Sequence, residues 1–238
     1  MVDVVDSART LKSRAMEARD SGDFSTAIRL LTKADDELRI ELKKLAEERS
    51  DKTSPGPFEQ KVAAQLAHIL GSKGGVYLRE KKYKASIDSY DAGYTFERPD
   101  GPYGIVNSYN LTQRLVARAF LNPRAVEEAA IVEELPLRAE LGVARREIER
   151  QRRGKRRRDE YAAADLAVVA LLKGDADWRE RLDGFLNSKP RPQPYAIEVT
   201  LDVLASFKDR LAEMDERLPE LEMRVARACE EMRNKMGA

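Results

Sequence analysis

With 238 residues, 43 basic and 42 acidic side chains and a single cysteine, the chain can bury a sizeable core, is almost neutral and cannot close an intrachain disulfide. That balance excludes a nucleic-acid binder working by overall charge and leaves only local clusters to attract phosphate. The lone Cys229, the acidic Asp3 and Asp6 near the start and the lack of any long apolar run predict a cytoplasmic protein with no membrane partner.

Aromatic residues are few, while Ala, Leu, Glu, Lys and Arg are abundant and apolar and polar positions seldom alternate. The fold class predicted from this is all-α. Val2 to Val5 and Ala196 to Val203 contain β-branched residues, but each also fits a helical face. A first helical hairpin is predicted from Asp6 to Arg49, turning at Ser21-Gly22-Asp23-Phe24. Gly22 can take the left-handed conformation that ends a helix, and Asp23 can cap the next one. Leu38, Leu42, Leu45 and Ala46 prolong the apolar stripe of its second helix. Ser50 to Pro57 reads as a loop, and a second hairpin follows from Phe58 to Arg98, turning at Glu80-Lys81-Lys82 and closed by Pro99.

Asp100 to Gly104 is another turn, and a third helix is predicted over Asn107 to Leu121. Asn122-Pro123 starts a long helix toward Arg158, with a break at Pro136. A fourth hairpin begins near Asp159, with Ala163, Ala167 and Ala170 as its small residues and Lys173-Gly174-Asp175 as its turn; Trp178 is read as core. Ser188 to Pro194 is a proline-rich connector, read as a semi-rigid spacer rather than as a ligand for an aromatic groove. Two C-terminal helices are expected, Tyr195 to Leu211 and Ala212 to Met236. In the second, Leu211, Met214, Leu218, Leu221, Val225, Ala228 and Met232 form a heptad-like seam. It either packs on the preceding helices or makes a homodimer, and Pro219 weakens the dimer reading. The division expected is a helical array over 1–187, a connector over 188–194 and a C-terminal pair over 195–238.

Two stretches share one spacing. Leu11, Ala15, Ala18, Ala27, Leu31 and Ala34 fall at the same intervals as Leu70, Gly74, Tyr77, Ser86, Tyr90 and Gly93. Small residues so placed let two antiparallel helices approach closely, and the pattern resembles a degenerate tetratricopeptide repeat (TPR). Pro102 to Asn107, and Tyr161 to Leu172 followed by Gly174-Asp175, look like the TRAF-binding type of that region. The resemblance implies a TPR-like hairpin solenoid acting as a scaffold or adaptor in stress signalling or defence, without cofactor, metal or catalysis. It also implies that the first helix of each pair lines a concave face. Lys12, Met16 and Arg19 would stand there from the first pair, Arg79 from the second, and Asn107, Asn110 and Arg114 from the third. Asn and Arg side chains can grip a peptide backbone or carboxylate through oriented donors. Gly71 and Gly75 stand where a carboxylate clamp would need longer side chains.

An RNA- or DNA-binding adaptor is the alternative. In Arg145 to Arg158, nine basic side chains outweigh two acidic ones, with Arg152, Arg153, Lys155, Arg156, Arg157 and Arg158 at its core. The bland reading is a solvated helix end, which Glu127-Glu128 and Glu133-Glu134 could neutralise. No aromatic residue is interleaved to stack on bases. Gly71-Ser72-Lys73-Gly74-Gly75 lacks the spacing of a phosphate loop, and His68 has no companion for a metal or a catalytic set.

Overall fold

The computed structural model describes residues 3–49, 54–98, 100–132 and 135–237. Every regular element among them is helical, and no helix is long and apolar enough to cross a membrane. The order is α1 (Val4–Asp20), α2 (Phe24–Glu48), α3 (Pro57–Arg79), α4 (Tyr83–Glu97), α5 (Tyr109–Leu121), α6 (Pro123–Ile131), α7 (Pro136–Arg153), α8 (Glu160–Lys173), α9 (Trp178–Leu186), α10 (Pro194–Ala212) and α11 (Pro219–Gly237). The chain divides into two compact units, Met1–Ala117 and Arg118–Ala238.

In the first unit α1 packs on α2, α2 on α3 and α3 on α4. The first turn has the expected chemistry. Gly22 is left-handed at φ +83°, and the Asp23 carboxylate accepts a hydrogen bond of 3.0 Å from the Thr26 amide. The second turn has no glycine, and Lys81 adopts the left-handed conformation itself, at φ 60°. The small residues lie at helix contacts. Ala15, Ala27 and Ala34 have no exposed surface. A Cβ on Gly74 would fall 2.8 Å from the Tyr90 ring, and one on Gly93 would fall 2.6 Å from Asn110 Nδ2. Ser86 is fully buried and donates to the Gly74 carbonyl at 2.8 Å, which satisfies its own hydroxyl inside the helix contact.

The second unit is built around α8, in which every residue from Ala162 to Leu172 is buried. A helix apolar on all sides belongs inside, and α7, α9, α10, α6 and α11 all touch it. Trp178 is core, as expected, at 7% exposure. Gly174 closes α8 in the left-handed region, at φ +71°.

Two helix starts differ from expectation, and the break expected at Pro136 is present. α5 starts at Tyr109, because Asn107 is a cap: its Oδ1 accepts from the amides of Ser108 (2.8 Å) and Tyr109 (3.2 Å). The helix begun by Asn122-Pro123 ends at Ile131, and a separate α7 starts with Pro136 at its first position. The last helix starts at Pro219 rather than Ala212, since proline lacks the amide and clashes with the preceding turn. Its seam is covered within its own unit: Leu221, Val225, Ala228 and Met232 have no exposed surface, and α11 packs on α10, α9, α8 and α6. Pro99, Glu133-Glu134, Val2 and the loop residues 50–53 lie outside the described residues.

Candidate functional site

α1 and α3 bring three basic side chains together in the first unit. Lys12 is half-buried on α1 and, among the described residues, its side chain makes no hydrogen bond or ion pair. Burial and then Arg19 lower its pKa below the usual lysine value. His68 comes from α3. Desolvation first, then the charges of Lys12 and Arg9, hold its pKa below the ordinary 6.5. Arg9 itself is exposed and pairs with Asp6 at 3.1 Å. At the far end of α1, Arg19 pairs with Asp20 at 2.7 Å, and Arg79 reaches the same carboxylate at 4.0 Å. Lys12, Arg19 and Arg79 are therefore surface or near-surface groups, and the last two share one acid.

Asn107, Asn110 and Arg114 have a different setting. The carboxylate of Glu97 is buried at 1% exposure and accepts from Asn107 Nδ2 at 2.7 Å and from the Asn110 amide at 3.1 Å. Asn110 has no exposed surface, and its Nδ2 donates to the Ala67 carbonyl at 3.2 Å. A side chain inside the fold cannot line a groove, so Asn110 is corrected to a packing residue that ties α5 to α3. Its Oδ1 is buried without a hydrogen-bond partner. Gly71 is likewise covered, since a Cβ there would meet the Tyr109 ring at 2.7 Å. Arg114 is half-buried, bonds Asp91 at 2.9 Å and lies over the Tyr94 ring at 5.2 Å. Asn110→Ala is expected to lower stability by about 1–3 kcal/mol, because it removes the bond that ties α5 to the Ala67 carbonyl and opens space beside Gly93. Urea unfolding checks this, and an unchanged midpoint would remove Asn110 from the packing.

The basic segment of the second unit is partly used by the fold. Arg145 reaches Asp175 at 2.5 Å, Asp177 at 2.8 Å and Glu149 at 3.2 Å, and Arg181 joins Asp177 and Glu149. Arg156 turns inward to 9% exposure, where it bonds Asp159 at 2.6 Å and Gln151 at 3.0 Å. It is corrected from phosphate ligand to a bracket across the α7–α8 turn. Arg152 is half-buried, and desolvation followed by Arg181 lowers its pKa. Arg153, Lys155, Arg157 and Arg158 are exposed. Glu127 and Glu128 do not neutralise this run, because Glu127 accepts from the Leu221 amide at 2.8 Å and Glu128 pairs with Arg124 at 2.8 Å.

Sequence reasoning passed over His68 and Arg9 as neighbours of Lys12. It also missed Glu97, whose burial depends on a contact with the start of α5 that no local pattern marks. Compared with family models, with curated proteins and with solved structures, the chain gives no match.

Proposed function

We propose that the chain is a non-enzymatic scaffold with TPR-like hairpins, whose first unit holds an acidic segment of a partner protein against α1 and α3. The spacing of small residues, now seen as helix contacts at Ala15, Gly74 and Gly93, supports the repeat reading. The observation that carries the binding role is the half-buried Lys12 amine, which lacks a counter-charge and stands beside Arg9 and His68. A partly desolvated ammonium among like charges gains from an incoming carboxylate, because the ligand supplies what the fold withholds. Arg19 and Arg79 extend the same basic character along α1 and α3. By resemblance to the TRAF-binding type, the setting would be stress signalling or defence.

A fluorescein-labelled peptide rich in Glu, with its Glu→Gln counterpart as control, tests the reading by anisotropy. The acidic peptide is expected to bind, and Lys12→Glu to weaken it by about tenfold or more. The sign of the pH effect follows from His68. Its free-state pKa is depressed, an anion raises it, and binding therefore takes up a proton. Affinity should rise as the pH falls from about 7.5 to about 5.5, and His68→Ala should flatten that rise. Equal binding of the two peptides, or indifference to Lys12→Glu, rejects the role.

A further inference from the structure

The loop joining α7 to α8 carries charge that the fold does not consume. Among the described residues, the side chains of Arg153, Lys155, Arg157 and Arg158 make no ion pair or hydrogen bond, and all four are exposed. The neighbouring acids are occupied elsewhere. Asp159 caps α8 through the Ala162 amide at 3.1 Å and holds Arg156, while Glu147 pairs with Arg150 at 2.7 Å. Glu160 accepts from the Gln193 amide at 2.7 Å. Four cations in six residues, with their local acids engaged, form a concentrated positive patch on a chain whose net charge is only +1.

The same Glu160–Gln193 bond brings the start of α10 to the start of α8. Tyr161 directly follows Glu160 and Tyr195 lies two residues beyond Gln193, and both are exposed, at 44% and 61%. The two phenols are near enough that Tyr195 opposes ionisation of Tyr161, after desolvation and Glu160. A fold normally covers large aromatic side chains, and these two are left open, Tyr161 three residues after Arg158 in the chain. Aromatic residues absent from the run of arginines follow it at Tyr161 and, through the Glu160–Gln193 bond, at the start of α10 with Tyr195.

We propose that this surface binds single-stranded nucleic acid, with Arg153, Lys155, Arg157 and Arg158 on successive phosphates and Tyr161 and Tyr195 stacked on unpaired bases. Every base has a π face, so such a surface tracks a strand with little sequence preference. A duplex would satisfy the cations but hide its bases from the rings. An acidic peptide would answer the charge and leave both tyrosines idle. The inference concerns the second unit and does not rest on the peptide-binding reading of the first.

The test is fluorescence anisotropy on the full chain with labelled oligo-dT and oligo-rU of about 20 nucleotides. The comparisons are an abasic phosphodiester strand of equal length, a duplex, and vesicles of phosphatidylserine and phosphatidylcholine. The single strands are expected to bind most tightly. Replacing all four cations by alanine should reduce the slope of log affinity against log salt by about 3, from about 0.7 per phosphate contact. Tyr161→Ala and Tyr195→Ala should each weaken binding by about tenfold or more, while Tyr→Phe at either site should preserve it. Circular dichroism confirms that the variants are folded. Any of four results would overturn the proposal: no binding at low salt, abasic strand or duplex bound as tightly as single strand, tyrosine variants indistinguishable from wild type, or vesicles preferred to oligonucleotide.

Discussion

Tyr90→Ala is expected to cost about 3–5 kcal/mol, the range for emptying a large aromatic site in a core. Tyr90 is 1% exposed in α4, and its ring fills the space that Gly74 leaves open in α3. On its other side the ring meets Tyr109 edge-on, with centroids 6.3 Å apart and planes at 75°. Burial, with the neighbouring Tyr109 adding to it, raises the phenol pKa well above its ordinary 10.0, so the group is neutral through the physiological range. Alanine removes the ring but leaves the notch between α3 and α4, which the Ser86 bond to Gly74 already holds at close range. Tyr90→Phe keeps the volume and should cost about 1 kcal/mol, the worth of one hydroxyl interaction. Hydrogen exchange of α3 and α4 peptides reads both variants. Wild-type protection in Tyr90→Ala would mean that the two helices do not close on the ring.

Gly174→Ala should destabilise the second unit by about 2–5 kcal/mol, from two sources that add. The residue sits at φ +71°, where an L side chain costs about 1–2 kcal/mol. A Cβ there would also lie 2.5 Å from the Ala130 Cβ and 2.7 Å from Arg224 Nη1. Arg224 has little room to swing away, since it is 8% exposed. Gly22→Ala separates the two sources. Gly22 is left-handed at φ +83° but has nothing within 4 Å of the added atom, so its variant should show the backbone cost alone. Hydrogen exchange in α8 for one variant and α2 for the other, with thermal unfolding, makes the comparison. Equal losses would mean that the contact with Ala130 relaxes freely.

Local chemistry was legible in the sequence where it is decided locally. The Gly-Asp turn before α2, the Asn122-Pro123 start of α6 and the Pro136 break all depend on one residue's backbone preference and its immediate neighbours. The small-residue notches were legible because helical spacing alone places them on one face. What stayed hidden depends on partners distant in the chain. Asn110 looks like any surface asparagine until Ala67, 43 residues earlier, supplies the carbonyl it bonds. In a run of arginines nothing marks Arg156 as the one that folds back on Gln151 and Asp159. Tyr161 and Tyr195 are unremarkable singly and become a pair only through Glu160 and Gln193. The surfaces proposed for binding are of this second kind.

Lys81 stands at the same interval from Leu70 as Gly22 does from Leu11. Both bend the backbone with the same hand, though only one of them is a residue that does so at ease. The corner between α3 and α4 is thus imposed by the packed helices on an unwilling lysine, whereas the corner between α1 and α2 is offered by the amino acid itself. A template that scans for glycine at the bend would pass over the second hairpin, although its backbone turns there with the same hand.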